Sequence, residues 1–77
     1  MSRRPVKHSV TLKGHRTSVS LEDEFWIEFR DLADEMDMPI NALAAQIDEE
    51  RGMDMGLASA IRLYVLQALK DRLPNGG

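Results

Sequence analysis

The stretch Lys13-Gly14-His15-Arg16-Thr17-Ser18-Val19-Ser20-Leu21 places the tightest limit on what this chain can fold into. It is the one convincing strand in a chain otherwise patterned for helices. Side chains alternate along a strand with a period of two. Arg16, Ser18 and Ser20 therefore share one face, and Thr17, Val19 and Leu21 share the other. One face is apolar and the other carries hydrogen-bonding groups. A lone strand leaves both edges unsatisfied, and a single short ribbon is marginal in water. The chain thus requires a partner strand, and a second chain is its expected source.

The size of the chain raises the same demand. Its 77 residues hold one small domain with a thin core. Such domains are commonly stabilised by disulfides, metals or oligomerisation. There is no cysteine, which removes disulfides and thiolate metal sites together and leaves oligomerisation. The lack of cysteine also fits a reducing cytoplasm. No apolar run follows the basic N-terminus as a secretory signal requires. No stretch approaches the roughly 20 apolar residues of a membrane span.

Charge is unevenly placed. The net value is −3. Residues 1–16 hold Arg3, Arg4, Lys7, Lys13 and Arg16 with no acid, which is +5, while residues 17–77 set five Lys/Arg against all thirteen acids, which is −8. A basic segment on an acidic body points to one polyanion-binding face, with the body repelling nonspecific contact. A solvated basic tail would have the same composition.

Along the chain, residues 1–12 show no helical period and are read as a basic arm. Val6, His8, Val10 and Leu12 alternate with Lys7, Ser9 and Thr11, so the sequence leaves open both a short extended segment and a flexible arm. Gly14 marks a bend or bulge before the main strand. After Leu21 the period changes. Phe25, Phe29, Leu32 and Met36 form one helical stripe, with Trp26 and Ala33 beside them. Acids fill the first turn of this helix, where the dipole favours them. Ser20 and Asp23 loosely match a capping box. The helix is predicted from about Glu22 to Glu35 or Met36. Asp37-Met38-Pro39 breaks it and starts a second helix on Ile40, Leu43, Ala44 and Ile47. That helix ends near Arg51-Gly52, with Gly52 expected as a left-handed cap.

A third helix is predicted from about Leu57 to Leu73, with 74–77 as a tail. Ile61, Tyr64, Val65 and Ala68 make one stripe, and Leu63, Leu66, Leu69 and Leu73 much of another. A helix apolar nearly all round is buried on more than one side. The chain asks for a second subunit here too.

A short strand with alternating polar groups, followed by two helices joined by a tight turn, resembles the ribbon-helix-helix family of bacterial DNA-binding proteins. The likeness covers about residues 13–51 and is strongest over Arg16-Thr17-Ser18-Val19-Ser20-Leu21-Glu22-Asp23-Glu24-Phe25. It is greatest to a short bacterial subfamily carrying segments similar to Lys7-His8-Ser9-Val10, Gly14 to Glu22 and Ser59-Ala60-Ile61-Arg62. With that subfamily it reaches from about Pro5 to Leu69. The fold this implies is mainly α with one N-terminal strand. It is a ribbon-helix-helix domain over residues 13–73 with an additional C-terminal helix, in an intertwined homodimer.

In such a dimer each chain donates one strand to an antiparallel ribbon, which fits the major groove of B-DNA. The resemblance implies that Arg16, Ser18 and Ser20 face the bases. The Arg16 guanidinium matches the two acceptors of guanine, and Ser18 and Ser20 can donate or accept. Ser20 either reads a base or caps the first helix. A second contact is implied at the start of the second helix, whose free amides form an anion site for a DNA phosphate. Related proteins usually place a glycine and then a hydroxyl cap in this turn, whereas this chain has Asp37 and Pro39. The anchor then falls to the amides of Ile40, Asn41 and Ala42 and to the Asn41 side chain. Arg3, Arg4, Lys7 and Lys13 add phosphate contacts or reach into a minor groove.

The function implied is sequence-specific binding of double-stranded DNA by a cytoplasmic homodimer that represses transcription. One alternative is an antitoxin-like protein-interaction module, and another is a dimerisation domain that binds no DNA. Short relatives are sometimes labelled aryl-sulfate sulfotransferases, yet the residues give catalysis little support. There is no phosphate-cradling glycine loop, no cysteine nucleophile and no recognisable histidine–carboxylate spacing. We expect no enzyme activity, metal or cofactor. Trp26 and Tyr64 are expected to be packing residues. The sequence does not specify an operator or a small-molecule effector.

Overall fold

In a computed structural model that describes residues 4–73, the chain runs β1 (Val6–Leu12), β2 (His15–Leu21), α1 (Asp23–Glu35), α2 (Ile40–Glu50) and α3 (Leu57–Asp71). The expectation of one N-terminal strand is corrected to two. Residues 6–12 pair with residues 15–21 as an antiparallel hairpin within one chain. The division placed between residues 12 and 13 therefore runs through a single element. Lys13 and Gly14 are its turn rather than the start of the strand. Both have positive φ, 51° and 84°. That pairing defines the two-residue turn whose twist matches the strands it joins. Lysine there accepts a left-handed conformation that costs an L residue about 1–2 kcal/mol.

The register pairs Val6 with Leu21, His8 with Val19, Val10 with Thr17 and Leu12 with His15. These residues form the inner face, where Val10, Val19 and Leu21 are buried. They meet Phe29, Leu32 and Ala33 of α1, Leu43, Ala44 and Ile47 of α2, and Ala60, Ile61 and Val65 of α3 in one core. Helices cover one side of the hairpin only. Strand β1 packs chiefly on α2, and β2 on α3. His8, which alternates with Lys7 and Ser9 on the side of Val6 and Val10, turns inward and stacks on Trp26 with ring centroids 4.0 Å apart and planes 6° apart.

Each helix starts and stops for a local reason. The N-cap of α1 is Glu22 and makes no side-chain cap bond, so the Ser20 cap is not formed and Ser20 stays in β2. At the other end Asp37 takes φ 57°. The Met38 N–H donates to Ala33 O at 2.9 Å, and the Asp37 N–H to Asp34 O at 3.0 Å. This is the left-handed helix stop that glycine usually supplies, formed here with aspartate. The second helix ends differently from expectation. Among the described glycines only Gly14 has positive φ, so Gly52 is not a left-handed cap. Instead Arg51 turns extended, and its side chain holds Asp48 Oδ1 and Met55 O, each at 2.7 Å.

The two stripes of α3 part company. Ile61 and Val65 are buried, and Tyr64 and Ala68 pack against the core. Leu63, Leu66 and Leu73 of the other stripe are exposed, the first two by 51 % each, while its Leu69 packs against the core. One chain thus covers only half of what this helix offers. No helix among the described residues is long and apolar enough to cross a membrane.

Candidate nucleic-acid interface

The inward pull of Val10, Val19 and Leu21 decides what the other side of the hairpin displays. With a period of two, burying those residues turns Lys7, Ser9 and Thr11 of β1 and Arg16, Ser18 and Ser20 of β2 outward. The register sets them in facing pairs: Lys7 with Ser20, Ser9 with Ser18, and Thr11 with Arg16. Five of the six are exposed and Ser20 is half-buried. The outer face thus holds two cations, four hydroxyls and no carboxylate. Residues 4–21 contain no acid at all.

The two edges of the hairpin differ. In a β-turn the first carbonyl accepts from the fourth amide, so Leu12 and His15 form a hydrogen-bonded pair. Hydrogen-bonded and non-bonded pairs then alternate along an antiparallel ladder. Residues 16, 18 and 20 on β2, and residues 7, 9 and 11 on β1, therefore aim their backbone groups away from the partner strand. On the β1 edge the Thr11 N–H donates to Asn41 Oδ1 at 3.0 Å, at the start of α2. On the β2 edge the Ser20 carbonyl accepts from Arg62 Nη2 at 3.3 Å. Among the described residues no strand lies beyond β2, so the edge at Arg16 and Ser18 is open.

The sequence-predicted phosphate contacts lie around this face in unequal condition. Lys7 and Arg4 are exposed. Lys13 sits at the turn tip with Nζ 3.0 Å from Glu49 Oε1, so its charge is already paired. Arg3 lies outside the described residues. At the start of α2 the amides of Ile40 and Asn41 point out of the helix, as first-turn amides must. The Ala42 N–H instead bonds Pro39 O at 3.0 Å. The Asn41 side chain spends its oxygen on tethering β1. Asp34 and Asp37 line the hollow beside Met38 and Pro39, so the surroundings of this anchor are acidic.

Where β2 passes into α1, sequence reasoning missed a clamp. Arg62 of α3 donates from Nε to Glu22 Oε1 at 2.9 Å, and its guanidinium lies 5.9 Å from the Phe25 ring centroid. With the Ser20 carbonyl, this ties the end of the strand, the start of α1 and α3 to one side chain. The Arg62 guanidinium beside Glu22 holds that carboxyl below its ordinary range. Position 62 lay in a segment shared with the resembled subfamily, but its partners lie 40 and 42 residues away and leave no periodic trace.

A comparison with family models matches the Ribbon-helix-helix domain over residues 5–69. The chain belongs to the ribbon-helix-helix family. That match spans both strands and most of α3, so in this ribbon-helix-helix protein the hairpin and third helix lie within the family domain. Searches of curated proteins and of solved structures each returned no match. Ribbon-helix-helix domains are generally DNA-binding regulators or antitoxins, and typically not enzymes.

Proposed function

We propose that this ribbon-helix-helix protein is a cytoplasmic, sequence-specific DNA-binding repressor that acts as a homodimer. The observation that carries the reading is the outer face of the hairpin. It is polar, cationic and free of acid, and it is mounted on a rigid core beside an otherwise acidic body. A two-stranded antiparallel ribbon fits the major groove, and in this reading β2 and its copy in the second chain supply it. In this reading Arg16 takes guanine through its two acceptors, while Ser18 and Ser20 accept or donate to neighbouring base edges. The dimer forms at the open edge of β2, where the second copy adds its own β2. Lys7, Arg3 and Arg4 neutralise phosphates, and the amides of Ile40 and Asn41 hold register.

Selection of bound duplexes from a random pool, followed by anisotropy titration, tests the reading. The wild type should enrich one sequence, and Arg16→Ala should lose about 1–3 kcal/mol on it with little loss on random DNA. Equal weakening on every sequence would remove base reading by Arg16. Sedimentation should show a dimer, and Ser18→Pro should give a monomer with an intact hairpin. The Ser18 N–H points away from β1, so proline there blocks only the outer edge.

An antitoxin-like role is the second reading. It is favoured by the apolar groove of about 440 Å³ lined by Ile47, Met55, Leu63, Tyr64 and Leu66. Dissociation of the homodimer by Leu63→Glu or Leu66→Glu in sedimentation would remove it, because the groove would then be internal to the dimer.

A further inference from the structure

The hairpin changes what a dimer of this chain would present to DNA. If β2 pairs with β2 of a second copy, β1 becomes the outer strand on each side, and the sheet runs β1-β2-β2-β1. This rests on the proposed pairing at the open β2 edge. Each edge carries one hydrogen bond to a helix, Thr11 N–H to Asn41 Oδ1 on β1 and Arg62 Nη2 to the Ser20 carbonyl on β2. Helix α2 packs more extensively on β1 than α3 does on β2, which favours the β2 edge for pairing. Neighbouring strands lie about 4.8 Å apart, so the two outer strands are roughly 14 Å apart. The major groove is about 12 Å wide and admits two strands, not four. The central strands therefore enter it while the outer strands come to rest over its walls. Those walls are the phosphate backbones.

We infer that β1 is a phosphate-binding rail and that base reading belongs to β2 alone. The residues assigned to the rail are Lys7, Ser9 and Thr11, whose side chains share the outer face of β1 opposite Ser20, Ser18 and Arg16. Their chemistry fits backbone oxygens. One ammonium neutralises charge and two hydroxyls donate to phosphate oxygens, with no acid on the strand to oppose them. The pairing Lys7–Ser20 places the ammonium at one end of β1, far from the turn where Lys13 is held by Glu49. Lys13 thus does not belong to the rail.

The test uses the full-length dimer and the duplex that the wild type selects. Anisotropy titrations across a salt series give the slope of log affinity against log salt. Each neutralised phosphate contributes about −0.9 to it, so Lys7→Ala should make the slope shallower by about 1.8 per dimer. Lys7→Ala should also select the same sequence as the wild type, and Lys7→Arg should restore the slope. Ser9→Ala should weaken selected and random duplexes by the same factor. A changed sequence preference in Lys7→Ala or Ser9→Ala would place β1 in the groove and overturn the assignment, as would an unchanged salt slope. The parent reading fails differently. A wild type that binds no duplex, or selects no sequence, overturns both.

Discussion

The two faces of the β1–β2 hairpin share a backbone, a turn and a length of seven residues per strand, yet they meet different surroundings. The inner face is closed by three helices, and Leu21 has no exposed surface. The outer face meets none of them and carries Lys7, Ser9, Arg16 and Ser18 in the open. A change on the inner face alters folding, because buried apolar atoms leave a cavity when removed. A change on the outer face removes atoms that were already in water and should leave folding alone. A hairpin with one face this inert to stability is free to be composed for a partner.

The sharpest way to break this contrast is Leu21→Ala, which should cost about 2–5 kcal/mol in urea or thermal unfolding. Arg16→Ala should shift unfolding by less than about 0.5 kcal/mol. Its loss of about 1–3 kcal/mol should instead be confined to selected DNA. If Arg16→Ala unfolded the protein comparably to Leu21→Ala, the two faces would not be separable. At the β1 edge, Asn41→Ala removes the tether to Thr11 and should cost about 0.5–1.5 kcal/mol of stability. Asn41→Asp keeps the accepting oxygen and should recover stability while adding a negative charge beside the first amides of α2. A drop in DNA affinity specific to Asn41→Asp would support a phosphate near that helix start.

The smallest expected effect is at the strand-to-helix junction. The Glu22 carboxyl is held below its ordinary range, first by its hydrogen bond from Arg62. A depressed folded value means that its contribution is present above the ordinary carboxylate range. That contribution is lost as pH falls through the folded value. The protection factor of the Trp26 amide, corrected for the intrinsic pH dependence of exchange, should therefore fall under acid in the wild type and lose that dependence in Glu22→Gln. Exposure at this site keeps the change small.

Legibility followed the range over which each signal acts. Helix spans, the break at Asp37-Met38-Pro39 and the alternation of β2 rest on neighbours within a few residues, and they were readable. The alternation of Val6 to Leu12 was equally visible, and so was the turn dipeptide Lys13-Gly14. Their joint meaning was missed because lysine is an unusual occupant of a left-handed turn position. Gly52 misled for the reverse reason, since a glycine permits a left-handed cap without requiring it. The capping role open to Ser20 gave way because β2 continues through Leu21 and leaves Glu22 as the cap.

What the sequence determined by itself is the division of β2 into a core side and a polar side, three helices, and a basic start on an acidic body. These follow from periodicity and local charge, which no long-range contact is needed to define. Tertiary structure decided that the first partner of β2 is β1 of the same chain, leaving only the opposite edge open. It also decided that Asn41 and Arg62 occupy the two flanks of the hairpin. Such choices depend on which surfaces meet when apolar faces are buried together. Residues 30 to 42 positions apart come into contact only then.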